Sequence, residues 1–374
     1  MIKMKQELYR YWIGSIPKAG SYKIETMLTY FGSPEAMYHA SDKAMEDMKK
    51  SCGDIGISIT EKDIDIIKFS KDAEVLNRNY GYLMEHGIRM ITKLDSSYPE
   101  KLRHIYDSPF SLYLKGNPFP CGKKAIAVVG ARECSVYGKE VAKYLSGALA
   151  KEGILIISGL ARGIDSGAHA GALSQGGSTY GIMGCGIDFC YPVENINLYM
   201  DMQESGGILS EYGPGIKPLP YHFPMRNRII SGLSDGVLVI EAREKSGSLI
   251  TVDMGLDQGK NIYAVPGRIT DKLSGGCNNL IKMGAKAVTS PQDILEDLLE
   301  YRCDKAENQL KLAGLLSPHE QEVYDALTLS PLHIEELAGL TGLDIGKLME
   351  VLLSMELKDL IQQPMKNYYI RRFY

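Results

Sequence analysis

The chain has 374 residues, 44% of them hydrophobic and 24% charged, which is enough for two or three domains with at least one sizeable core. A formal net charge of −4 and a pI near 6.0 exclude a uniformly basic nucleic-acid binder, so any DNA-binding charge has to be local. Seven scattered cysteines without a C-x-x-C pair argue against a disulfide framework or a zinc site and for a reducing cytoplasm. The first residues, Met1 to Glu7, contain no apolar run of the signal-peptide type. No stretch of about 18 apolar residues offers a membrane span.

In chain order, residues from about 6 to 80 predict short helices. Ser33-Pro34-Glu35 reads as an N-cap with proline at the first helical position. Ile16-Pro17-Lys18-Ala19-Gly20 reads as a tight turn between two helices. Residues 1–85 thus resemble a SAM-like or helix-hairpin-helix unit. Lys18 and Ala19 occupy part of the turn where such hairpins carry Gly-x-Gly, so a small packing domain is expected.

From about residue 86 the pattern changes. Strands are predicted at 125–129, 154–157, 179–183, 208–210, 237–240 and 262–265, with edge candidates at 88–92 and 111–115. Helical patterns separate most of them; Val141, Tyr144, Leu145, Ala148 and Leu149 form one apolar helix face. Alternating strands and helices imply an α/β domain with a doubly wound parallel sheet over 86–300. Ligands of such sheets bind at the carboxyl ends of the strands. A charged, apolar-poor stretch then suggests a linker over 301–313. Ser317-Pro318-His319-Glu320 is a capping box. Helices at 318–327, 334–341 and 344–357, with strands at 360–362 and 368–371, make a winged helix-turn-helix over 314–374.

Three glycine-rich loops follow predicted strands: Gly130-Ala131-Arg132, Ser158 to Gly163, and Ser246-Gly247-Ser248. The segment Phe223-Pro224-Met225-Arg226-Asn227-Arg228 stands among them. Backbone N–H groups at helix starts, with arginines beside them, suit phosphate. Several such loops with an aromatic suit a polymer of phosphates and bases.

These residues closely resemble the DprA/Smf family, DNA-processing protein A of bacteria. The matching text runs in order through Val129 to Arg132, Ser158 to Asp165, Ala168-His169 and Gly184-Cys185-Gly186-Ile187-Asp188 with Tyr191-Pro192. It continues through Ser210-Glu211-Tyr212, Phe223 to Ile230, Glu241-Ala242, Ser246 to Thr251 and Ala264-Val265-Pro266-Gly267. The resemblance implies an extended Rossmann-like core that binds single-stranded DNA, dimerisation through that core, and handover of the strand to the RecA recombinase in natural transformation. It implies DNA- or phosphate-binding roles for Gly130, Arg132, Gly159, Arg162, Gly184, Gly186, Phe223, Arg226, Asn227, Arg228, Ser246, Gly247 and Ser248. No cofactor, metal or membrane partner is expected.

Each residue has a plainer alternative. Arg132 is read as a phosphate clamp, against a surface arginine paired with Glu133 or Glu140. Arg226 and Arg228, two apart, point about 200° apart on a helix, so one faces DNA and the other packs or pairs with an acid such as Asp235. Arg226 is the expected DNA-facing member, and Asn227 is expected to shape a turn. Phe223 stacks on a base or staples the next helix. Some relatives carry a lysine shortly before that aromatic; here Pro220 stands there, and Lys217 is the nearest substitute. Ser246 either caps a helix or binds phosphate as well. Arg162 contacts phosphate or is held by Asp165. His169 is expected to be a buried structural histidine, and Glu241 and Asp188 to stabilise loops.

Two other functions compete. Related phosphoribohydrolases carry an acid near a Pro-Gly-Gly-x-Gly-Thr loop, but Leu249, Ile250 and Thr251 stand in the comparable place, leaving no proton carrier. No P-loop or dinucleotide motif is present. A transcription regulator would need arginine or asparagine on the recognition helix; residues 344–357 are mostly apolar and acidic, with Lys347 in the first turn. Arg371 and Arg372 suit backbone contact or, more simply, protein docking.

Overall fold

Local sequence signals set most of the helix starts. Ser33, Ser41, Asp72 and Ser135 each cap a helix by accepting a backbone N–H, and Thr60 forms a capping box with Asp63. The protein is seen here as a computed structural model that describes residues 6–16, 20–298, 316–327, 332–358 and 360–371. The expected turn at Pro17-Lys18-Ala19, the linker over 301–313 and Arg372 lie outside the described residues, as does the side chain of Arg371.

Six helices come first: α1 (Gln6–Gly14), α2 (Ser21–Phe31), α3 (Pro34–Tyr38), α4 (Asp42–Asp54), α5 (Glu61–Phe69) and α6 (Ala73–Glu85). An edge hairpin follows, β1 (Ile88–Thr92) and β2 (Ser111–Gly116), with the short α7 (Glu100–Arg103) between its strands. The α/β part then runs β3 (Ala125–Gly130), α8 (Val136–Lys151), β4 (Leu155–Ser158), α9 (Ile164–Ser174), β5 (Thr179–Met183), α10 (Ile196–Ser205), β6 (Gly207–Ser210) and α11 (His222–Leu233). It closes with β7 (Gly236–Ile240), α12 (Gly247–Asp257), β8 (Asn261–Ala264), α13 (Gly275–Lys282), β9 (Lys286–Ala287) and α14 (Gln292–Leu298).

The nine strands lie in the order β1-β2-β6-β5-β4-β3-β7-β8-β9. Strands β6 to β9 of that order are mutually parallel, and β2 joins β6 antiparallel, which places the hairpin at one edge as expected. The order reverses between β3 and β7, whose register pairs Gly130 with Ile240. Buried Val, Ile and Leu cover both faces of the central strands, as a parallel sheet with helices on each side requires.

Helices α1 to α6 do not stand apart from the sheet. Trp12, Ile13, Met27 and Met48 share one buried cluster with Tyr113, Leu160, Met183 and Ile208. Ser111 Oγ donates to Gly14 O at 2.6 Å, tying the end of α1 to β2. Met1–Glu300 is accordingly one compact unit.

Tyr301–Tyr374 is the second. It contains α15 (Pro318–Ala326), β10 (Leu332–His333), α16 (Ile334–Thr341), α17 (Ile345–Leu357), β11 (Ile361–Met365) and β12 (Tyr368–Arg371). The capping box of Ser317 and Glu320 starts α15, and Val323, Leu337, Leu348, Leu352 and Met355 fill the core. Ile345, Met349, Leu353 and Leu357 leave an exposed apolar stripe on α17.

Candidate nucleic-acid interface

The ends of β3 and β7 create a cleft at the reversal of strand order, where doubly wound sheets bind ligands. Close backbone packing shapes its floor. A Cβ at Gly130 would stand 1.9 Å from Ile240 O, so a side chain there would push the two strand ends apart. Ala131 N donates to Glu241 O at 2.7 Å. The Glu241 carboxylate accepts from Ser135 N at 2.7 Å and from Ser135 Oγ, which fixes the start of α8. Glu241 thus holds a loop, and Asp188 does the same by accepting from Gly215 N at 3.0 Å.

The cleft measures about 650 Å³. Gly130, Arg132, Phe223, Arg226, Asn227, Ser246, Gly247 and Ser248 all line it, so the structure brings together eight of the thirteen expected site residues. Four cations, Arg132, Arg226, Arg243 and Lys245, face two carboxylates, Glu133 and Asp165. A chain of net charge −4 therefore carries a local positive surface there.

Arg132 is exposed and, among the described residues, has no carboxylate within ion-pair distance. Glu140, one of its expected partners, pairs with Lys143 instead. The Arg132 guanidinium lies 5.6 Å from the centroid of the Phe223 ring, within cation–π range. Phe223 is the second residue of α11 rather than a residue preceding it, so it is not placed as a staple. Its ring also meets Tyr191 at 5.5 Å. A Cβ at Gly184 would stand 2.9 Å from that ring, so Gly184 makes room for Phe223 from behind.

The two arginines of α11 do diverge. Arg226 donates to Gly159 O at 2.9 Å and to Ile182 O, at the carboxyl ends of β4 and β5. It is 5% exposed but still lines the cleft. Burial pulls its pKa down to about 10, with Asp165 opposing the shift and Arg132 adding to it, so it stays charged at neutral pH. Asn227 lies within α11, not in a turn; its Oδ1 accepts from Arg226 Nε at 3.2 Å and orients that side chain.

Arg228 does not line the cleft. Its Nη2 donates to both Glu211 oxygens at 2.8 and 2.9 Å, and its Nε to Asp107 at 3.3 Å. The expected partner Asp235 instead accepts from Lys101 at 2.6 Å and from Ala125 N at 2.8 Å.

The remaining expected residues also stand outside the cleft lining. Arg162 pairs with Glu194, not with Asp165. Asp165 turns inward and accepts from Gly159 N at 3.1 Å and Ala161 N at 3.3 Å, bracing its own loop. Burial raises its carboxyl pKa, against the pull of Arg226. Gly159 packs under the Arg226 guanidinium, where a Cβ would come within 2.7 Å. Gly186 N donates to Ile216 O at 2.7 Å and holds the 213–216 loop. Lys217, the nearest substitute for the missing lysine, is exposed but does not line the cleft, whereas Pro220 does.

At the other wall, Ser246 caps α12 by accepting from Ser248 N at 3.4 Å, and its hydroxyl meets that of Ser248 at 2.8 Å. Space beside Gly247 is open, while Ser248 N and Leu249 N already bond to Ser246. Arg243 and Lys245, exposed beside this start, were not among the expected site residues. Their signal was available: they follow the end of β7 and flank Ser246.

His169 is fully buried, and its Nδ1 meets Thr179 Oγ1 at 2.7 Å. Because the Thr179 hydroxyl donates to Ile156 O, His169 Nδ1 carries the proton. Burial, then the Arg226 charge, depresses its pKa to about 3. The unfolded side chain titrates near 6.5, so its contribution to stability is complete above that pH and is lost as the pH falls toward 3. The His169→Gln variant should show a flatter decline of urea stability between pH 6.5 and 4.5, by up to one proton. Equal slopes would contradict the neutral buried state.

Among the described residues no helix is long and apolar enough to cross a membrane, and no group of three or more His, Cys, Asp or Glu side chains is placed to hold a metal. A family model described as DNA recombination-mediator protein A matches residues 89–299, and one described as the DprA winged helix domain matches 311–364. DNA processing protein DprA of Streptococcus pneumoniae is 49% identical over 54% of this chain and 72% of its own length. That of Bacillus subtilis is 45% identical over 58% of this chain and 73% of its own. The X-ray structure of the S. pneumoniae protein superposes with a TM-score of 0.60 at 35% identity, covering 75% of this chain and 99% of that one. A Helicobacter pylori DNA processing protein A, described for its single-stranded DNA binding mode, gives 0.51 at 30% identity, covering 57% and 96%. With an α/β unit and a winged-helix unit each matched in order, the chain belongs to the DprA/Smf family of DNA recombination mediators.

Proposed function

We propose that the cleft binds single-stranded DNA, and that the protein protects an incoming strand and loads the RecA recombinase onto it during natural transformation and recombination, without catalytic turnover. The observation that carries the reading is the convergence of Arg132, Arg226, Arg243 and Lys245 with the start of α12 and the paired Phe223 and Tyr191 rings in one cleft. Cations and backbone N–H groups hold phosphates, and an aromatic supplies a face for a base. The H. pylori relative, whose structure is described for this ligand, supports the choice of single strands. The recombinase step, a homodimer through the α/β unit and a cytoplasmic setting rest on family kinship.

Two of the acids at the strand ends are held in structural roles. Glu241 is tied to Ser135 and Asp165 to the backbone of its own loop, so neither is a free acid or base. The protein should bind a labelled single strand equally well with and without EDTA. It should leave the strand intact and release no base from nucleoside monophosphates over hours. Base release abolished by changing Glu133 or Glu241 would overturn the reading.

A further inference from the structure

The Phe223 ring is the obvious stacking platform, but it is crowded. The Arg132 guanidinium lies 5.6 Å from its centroid and that of Arg226 lies 5.9 Å away. Behind it, Gly184 leaves no room for even a methyl group. A base on Phe223 would compete for the ring with Arg132, an exposed cation that lines the same cleft.

Tyr191 offers what Phe223 lacks. It lines the same cleft and is 44% exposed. Among the described residues its only ring contact is Phe223, at 5.5 Å between centroids and a tilt of 37°. Its hydroxyl has no hydrogen-bond partner among them, so nothing polar holds the ring against the protein. Phe223 thus packs against the ring, and nearly half of the residue remains exposed at the cleft.

We propose that Tyr191 supplies the outer base-stacking face of the cleft, with Phe223 as the ring that backs it and seats Arg132. This rests on the single-strand reading and adds a determinant of strand choice. An unpaired base has a free π-face, whereas bases in a duplex are covered above and below by their neighbours. Tyr191 then favours single over double strands, while the cations serve both.

The test is a set of binding titrations with the full chain on an oligonucleotide, on the same strand with abasic sites, and on its duplex. Tyr191→Ala should weaken binding to the intact strand about tenfold, as loss of one stacked base does. It should leave the salt dependence unchanged, because no phosphate contact is lost. On the abasic strand and the duplex, wild type and variant should bind alike, so the preference for single strands narrows by the same factor. Tyr191→Phe should restore wild-type affinity. Tyr191→Trp should be quenched by the intact strand and not by the abasic one, above the constant signal of Trp12, which is fully buried. Unchanged affinity of Tyr191→Ala, or an equal loss on intact and abasic strands, overturns the inference while leaving the cleft as the binding site. Failure of the wild type itself to bind the intact strand overturns the single-strand reading and this inference with it.

Discussion

Arg228→Ala is expected to destabilise the Met1–Glu300 unit by about 3 kcal/mol while leaving the DNA affinity of the folded protein unchanged. The guanidinium is 8% exposed; its Nη2 donates to both Glu211 oxygens and its Nε donates to Asp107. Burial alone would lower its pKa; Glu211 and Asp107 outweigh that and raise it. Removing the cation leaves two carboxylates facing each other's charge without a donor. The figure is placed at the low end for a broken buried pair because Glu211 keeps 28% exposure and Asp107 45%, so water recovers part of the loss. Arg228→Lys keeps the charge but loses the planar guanidinium that reaches Glu211 and Asp107 through different nitrogens, and should fall between. Urea unfolding of the three proteins checks this. A midpoint for Arg228→Ala within error of the wild type would contradict the structural role assigned to this side chain.

Arg132→Ala is expected to do the reverse. The side chain is exposed and has no ion pair among the described residues, so the fold should be unaffected. A charge-assisted contact to phosphate contributes roughly 1.5–3 kcal/mol, so affinity for every single-stranded sequence should fall about 10- to 150-fold. The slope of log affinity against log salt should shrink by roughly 0.7. Adding Lys245→Ala, across the cleft, should remove a second increment of similar kind. Fluorescence anisotropy at several salt concentrations reads both quantities. An unchanged slope with unchanged affinity would remove Arg132 from the site.

The two arginines also show how far the sequence reaches. Their spacing alone requires divergence, and the structure has Arg226 at the ends of β4 and β5 with Arg228 toward Glu211 and Asp107. The identity of the opposing acid is not a local property. Asp235 is nearer in sequence, but Glu211 is set across from Arg228 by the β2–β6–β5 side of the sheet. The end of β5 was legible because its apolar run stops at Gly184, and β5 and β12 run as expected, to the residue. The two-residue β9 and β10 and the four-residue α7 are too short to leave a period. The merging of α1 to α6 with the sheet was hidden for another reason. An amphipathic helix shows that it packs, not on what, and Trp12 and Met27 gave no sign that Tyr113 and Ile208 complete their cluster. Arg243 and Lys245 were overlooked because neither belongs to a glycine-rich loop, although both follow a strand end.

The central claim is that single-stranded DNA binds in the cleft at the ends of β3 and β7. The most direct test is anisotropy of a labelled single strand and its duplex, across salt, with a fragment of residues 1–300, which keeps the buried cluster shared by the helices and the sheet. The account predicts that this fragment retains most of the affinity of the full chain, prefers the single strand, and loses affinity steeply as salt rises. Binding confined to the full chain or to residues 301–374, with a folded 1–300 fragment that ignores the single strand, would contradict it.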